Sequence, residues 1–105
     1  MNLLQKTVVF RNLIDTELEQ IFVDHKYKLI FNNKLENQDD SDNWVFKRIY
    51  KGKSVIEISS EDWRDYIEYF DVLVNDKKVF CVNILDFQNL EEAFEFLKTR
   101  ILQII

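Results

Sequence analysis

The sequence predicts an α+β fold: a four-stranded antiparallel β-meander flanked by N-terminal and C-terminal helices packed on one face. Three observations lead there. Apolar residues alternate at the strand period in two arms between residues 66 and 87, which meet at Asn75-Asp76-Lys77. A second alternating pair meets at Lys51-Gly52, and both ends of the chain carry apolar residues at helical spacing. The 105 residues, 47% of them hydrophobic, suit a single domain over 1–105. A chain of this size buries somewhat more than about 60% of its unfolded surface.

In residues 1–24, Leu3, Phe10, Ile14, Leu18 and Ile21 fall on one helical stripe, widened by Leu4, Leu13 and Phe22. One long helix is the first reading. The competing one is a short strand over 7–10 followed by a helix from Thr16, because Thr16-Glu17-Leu18-Glu19 matches a capping box. Residues 27–31 then read as a strand with Tyr27, Leu29 and Phe31 on one side, and residues 32–43 as a polar loop.

Residues 44–50 and 53–59 form a hairpin about Lys51-Gly52, where the single glycine supplies the positive φ of a tight turn. A two-residue turn there pairs Val45 with Ile58 and Ile49 with Ser54, placing Trp44, Phe46 and Tyr50 on the opposite face. Ser59-Ser60-Glu61-Asp62 then suits one capped helical turn, with a bulged strand as the alternative.

For the later hairpin, turn length decides the face. A two-residue turn at Asn75-Asp76 pairs Val72 with Val79, whereas an odd loop of Asn75 to Lys77 pairs Val72 with Phe80 and Phe70 with Val82. The second register unites the better apolar sets and is preferred. It puts Phe70, Val72, Val74, Phe80, Val82 and Ile84 inward, with Tyr69, Leu73, Cys81 and Leu85 outward. From Asn89 the signal is again helical. Asn89-Leu90-Glu91-Glu92 supplies an N-cap and an acidic first turn, and Leu90, Phe94, Leu97, Ile101 and Ile104 recur every three or four residues. Phe96, Leu102 and Ile105 widen this stripe beyond what one sheet face needs.

Composition excludes several chemistries. A net charge of −5 argues against a phosphate-backbone binder, so no nucleic acid is expected. No apolar run approaches the roughly 18 residues that span a bilayer, and the first residues lack the order of a secretory signal, so the expected location is cytoplasmic, off the membrane. One cysteine, Cys81, and one histidine, His25, cannot make a thiolate or imidazole metal cage. In its strand Cys81 reads as a small hydrophobe. Asp39, Asp40, Ser41, Asp42 and Asn43 cluster oxygen ligands, but a calcium loop counted from Asp39 needs Gly and Glu where Trp44 and Tyr50 stand. With one glycine there is no phosphate-cradling loop. No nucleophile elbow accompanies His25 and the serines. No cofactor, metal or catalytic constellation is therefore expected.

What remains is binding. Trp44, Phe46, Tyr50 and Tyr69 on the outer sheet face are the candidate buried anchors, since large rigid side chains dominate interface energetics. Asp39, Asp40, Asp42, Glu61, Asp62 and Asp65 are the candidate carboxylates that steer a basic protein partner. The expected function is a small acidic protein-interaction or inhibitory module, as a monomer or a homodimer. The order helix, meander, helix resembles that of many unrelated bacterial proteins, including toxin-neutralising immunity proteins and secretion chaperones, a likeness of element order alone. Two alternatives stand beside it. One is a ligand-binding protein or enzyme with a pocket between sheet and helices, using His25 or the Glu61 to Glu68 carboxylates. The other is a subunit of a larger assembly.

Overall fold

A computed structural model of the protein describes residues 2–33, 46–59 and 69–105. Helix α1 (Leu3–Leu13) opens with a reciprocal cap: the Asn2 carboxamide accepts the Gln5 N–H at 2.8 Å, and the Gln5 carboxamide accepts the Asn2 N–H at 2.9 Å. A π-helical turn (Ile14–Leu18) joins it to α2 (Glu19–Asp24) without leaving helical dihedrals. The one-helix reading therefore holds over this segment, and the Thr16 hydroxyl donates to the Asn12 carbonyl at 2.8 Å inside the helix rather than capping a new one.

The π turn has a cause in the spacing. Phe10, Ile14, Leu18 and Phe22 are all buried and recur every four residues. A regular α-helix turns about 400° in four residues, so such a row drifts by about 40° per step. One wider turn absorbs that drift and keeps all four side chains on the core.

The helix ends in a Schellman motif. The N–H of Tyr27 bonds the carbonyl of Phe22 at 2.8 Å, that of Lys26 bonds Val23 at 3.0 Å, and the rings of Phe22 and Tyr27 meet at 5.7 Å. The left-handed position is held by Lys26, at φ 68°, where glycine is the usual choice.

Strands β1 (Lys28–Asn33), β2 (Phe46–Lys51), β3 (Ser54–Ser59), β4 (Tyr69–Val74) and β5 (Lys77–Asn83) lie in chain order in one antiparallel sheet. The sheet thus has five strands rather than the expected four, because the strand read over 27–31 joins the two hairpins by pairing along the outer edge of β2.

The β2–β3 turn also differs from expectation. It is Gly52-Lys53, so Ile49 lies opposite Ile56 and Lys47 opposite Ile58, two residues from the expected pairing. A shift of two leaves every side chain on its face and sets two isoleucines against each other. Gly52 has φ 59°, as a tight turn demands.

The β4–β5 hairpin reconciles the two registers that the sequence sets against each other. Asn75 and Asp76 form a two-residue turn with both φ positive, at 50° and 69°. Val74 accordingly faces Lys77 and Leu73 faces Lys78, yet Val72 faces Phe80 and Phe70 faces Val82. Val79 is the extra residue of a β-bulge that switches register between them. The short turn and the apolar pairing are both obtained.

A 3-10 turn (Ile84–Asp86) leads to α3 (Leu90–Ile104), whose N-cap Asn89 accepts the Glu92 N–H at 2.9 Å. Phe10, Ile14, Leu18 and Phe22 from the first helix join Phe94, Leu97 and Ile101 from α3 and Ile49, Ile56, Ile58, Phe70, Val72 and Val82 from the sheet in one core. Phe10 sits at its centre, 4.9 Å from Phe70 and 6.3 Å from Phe94 between ring centroids. The helices accordingly pack on the sheet face that carries these buried positions, and the intervening strand residues point the other way.

Candidate interaction surface

The outer sheet face is set by the strand alternation. Arg48 and Tyr50 of β2, Val55 and Glu57 of β3, Asp71 and Leu73 of β4 and Cys81 of β5 are the positions out of phase with the core. Tyr69 is 52% exposed at the start of β4, and Tyr50 is half-buried. Cys81 is exposed, so it is not the packed small hydrophobe that its strand suggested; it lies on the side the helices do not cover.

The face is less uniformly apolar than the pattern implied. Arg48 Nε donates to Glu57 at 2.6 Å directly across β2 and β3, and Lys78 Nζ lies 3.1 Å from Asp71. The Glu57 hydrogen bond, backed by its charge, raises the Arg48 pKa above the usual guanidinium value.

The expected aromatic anchors are spread out. Tyr50 stands opposite Val55, which exchanges hydrogen bonds with Asn75 at the turn end of β4. Tyr69 is at the other end of β4, opposite Asn83. Six residues of strand separate these rows, about 20 Å at the ordinary rise. Phe46 is placed only by its backbone, opposite Ser59. Trp44, Asp39, Asp40, Asp42, Glu61, Asp62 and Asp65 lie outside the described residues, as does the proposed turn after Ser59.

Both sheet edges are guarded. Edge strand β1 begins at Lys28 and carries an irregularity between Leu29 and Phe31; edge strand β5 begins with Lys77 and Lys78 and carries the Val79 bulge. Lysines and bulges on edges are the usual devices against strand addition, so an approach to this sheet is directed to its face.

Two features escaped the sequence reading. Lys47, in phase with Ile49 on the core side of β2, is only 2% exposed and pairs with Asp15 and, at 2.5 Å, with Glu19. Its phase was a usable signal, because a lysine on a core face needs a carboxylate. The partners, four residues apart across the π turn, were too distant in sequence to be matched to it. The second is an aromatic rim beside β5, where Phe96 of α3 meets Phe80 at 6.1 Å and Phe87 at 5.5 Å, with the Arg100 guanidinium over Phe80 and Phe96 at 5.2 and 6.0 Å.

A groove of about 490 Å³ runs between α1 and the approach to α3, lined by Val9, Leu13, Phe87 and Leu90 together with the polar Lys6 and Asn89. His25 is not part of it. That side chain is exposed at the end of α2, its Nδ1 donating to the Ile21 carbonyl at 2.8 Å. A cleft near that end, beside Phe22 and Tyr27, holds about 60 Å³.

Among the described residues no three His, Cys, Asp or Glu side chains gather as a metal site requires, and no helix is long and apolar enough to cross a membrane. No protein-family model, curated protein or solved structure matches the chain.

Proposed function

We propose that the protein is a small acidic binding module of the cytoplasm that engages a protein partner through its outer sheet face and acts by occupying that partner, as an inhibitor or chaperone does. The observation that carries this reading is the one-sided packing. Among the described residues every helix lies on the core face, while the other face presents Tyr50, Tyr69, Leu73 and Cys81 between guarded edges. Tyr50 and Tyr69, with Trp44 and Phe46, are the anchors, and Asp39, Asp40, Asp42, Glu61, Asp62 and Asp65 draw in a basic surface. Two tyrosines about 20 Å apart match the width of an ordinary protein interface and exceed that of a small molecule.

The test is retention of a stoichiometric partner from the source cell's lysate by the wild-type chain and by the Tyr50→Ala, Tyr69→Ala variant. Loss of that partner, with thermal unfolding unchanged, supports the reading. Undiminished retention by the double variant overturns it.

A second reading, small-ligand binding, is favoured by the groove at Val9, Leu13 and Phe87, whose 490 Å³ falls within the range of ligand pockets. It places the ligand between the helices and away from His25; the Glu61 to Glu68 carboxylates that the sequence suggested for such a site lie outside the described residues. Saturable quenching or shift of groove resonances by a metabolite library would establish it.

A further inference from the structure

We propose that α3 and the aromatic rim beside it form a two-fold, self-complementary interface through which two copies of this chain pair, with their α3 helices antiparallel and the axis passing close to Phe96. This gives the homodimer named above a specific surface. It lies apart from the outer sheet face and is tested with the purified chain alone, so its failure leaves the partner-binding reading untouched.

The rim has the composition of an interface centre. Phe96 is 37% exposed although it touches Phe80 and Phe87, and the Arg100 guanidinium lies over Phe80 and Phe96. Aromatics with a stacked arginine are the side chains enriched where binding energy concentrates. Phe96 is also one of the residues by which the apolar stripe of α3 exceeds what its contact with the sheet requires.

The occupant is indicated by charge. Glu92, Phe96 and Arg100 stand at four-residue intervals, a ridge that winds about 40° per step around the helix, and all three are exposed. Glu92 and Arg100 are equidistant from Phe96. With the two antiparallel helices crossed at about 50°, so that these ridges run along each other, a two-fold axis at Phe96 lays Glu92 of one copy against Arg100 of the other, and the symmetry makes the reciprocal pair at the same time. The antiparallel arrangement also opposes the two helix dipoles favourably. A parallel arrangement would set Glu92 against Glu92 and Arg100 against Arg100. Lys98 and Glu95, 3.0 Å apart on another side of the helix, satisfy each other within one copy and do not compete. At this edge of the sheet, Lys77, Lys78 and the Val79 bulge oppose pairing through β5, which leaves the contact to the helix.

The experiment is sedimentation equilibrium on the wild type, Glu92→Arg, Arg100→Glu and the double variant carrying both exchanges, with helical circular dichroism measured on each. The wild type is expected to dimerise. Each single exchange should weaken the dimer at least about tenfold by opposing like charges, and the double exchange should restore it. Because the double variant contains both substitutions, its recovery separates a lost contact from a damaged fold. A wild type that stays monomeric to its solubility limit overturns the proposal. So does a dimer that the single exchanges leave intact, or one that the double exchange fails to restore.

Discussion

Lys47 Nζ lies 2.5 Å from a carboxylate oxygen of Glu19, across the interface between β2 and the first helix, and Asp15 completes the pair from within the π turn. This is a nearly buried cation held by two partly exposed carboxylates, with side-chain exposures of 3%, 22% and 32% for Lys47, Asp15 and Glu19. Truncating a buried lysine loses the packing of its stem together with its charge, whereas an apolar residue of similar shape keeps the packing. Lys47→Ala is expected to cost about 3 kcal/mol or more, through the lost stem as well as the lost charge. Lys47→Met, which keeps the stem and lets the carboxylates turn to water, should cost less than about 2 kcal/mol. Urea unfolding of both variants checks the order; equal losses would mean that charge, not packing, sets the value of this lysine.

Lys26 occupies a left-handed position that closes the Schellman motif. Lys26→Gly relieves that conformation while keeping the backbone bonds to Val23 and Phe22, and should raise stability by about 0.5–1 kcal/mol. A lower thermal midpoint in Lys26→Gly would contradict the geometry of this helix end.

The two hairpin turns respond oppositely. A Cβ on Gly52 would meet nothing within 4 Å, so the cost of Gly52→Ala comes from its φ of 59° alone and should be about 1 kcal/mol of lost stability. At Asp76, whose φ is 69°, replacement by glycine produces the preferred Asn-Gly turn and should stabilise the protein slightly. Thermal unfolding of the two variants, measured together, tests both signs.

Arg48 makes a statement about pH. Its pKa is raised by the Glu57 hydrogen bond above the ordinary guanidinium value, so its stabilising effect is complete below that ordinary value and is lost only as pH climbs through the raised one. With Arg48 41% exposed, the effect is small, at most about 1 kcal/mol. The stability difference between wild type and Arg48→Gln should therefore be flat from about pH 6 to 10. A slope in that window would assign the difference to another group.

Much of the fold was legible in the residues themselves. The helical stripe of α3 and its Asn89 cap, the inward set Phe70, Val72 and Val82, and the need for positive φ at Gly52 all follow from local pattern and turn chemistry. What local pattern missed depended on contacts distant in sequence or on small insertions. The Val79 bulge let a two-residue turn coexist with a register that simple counting assigned to a three-residue one. The β2–β3 pairing moved by two because a Gly52-Lys53 turn sets Ile49 against Ile56. The strand over 27–31 was legible but its place on the edge of β2, which makes the sheet five-stranded, was not, and the partners of Lys47 lie on another element. In the candidate surface, alternation assigned the faces of Tyr50 and Tyr69 but carried no information about their separation along the sheet.

Cys81 offers the most direct measurement of the central claim, that the outer sheet face receives a partner. It is exposed on that face, opposite Asp71, and is the chain's single thiol. Its alkylation rate by a maleimide should fall at least about tenfold when a partner retained by the wild-type chain is bound, because interface cores exclude water and reagent alike. An alkylation rate that is the same with and without bound partner would place the interface elsewhere and contradict the account.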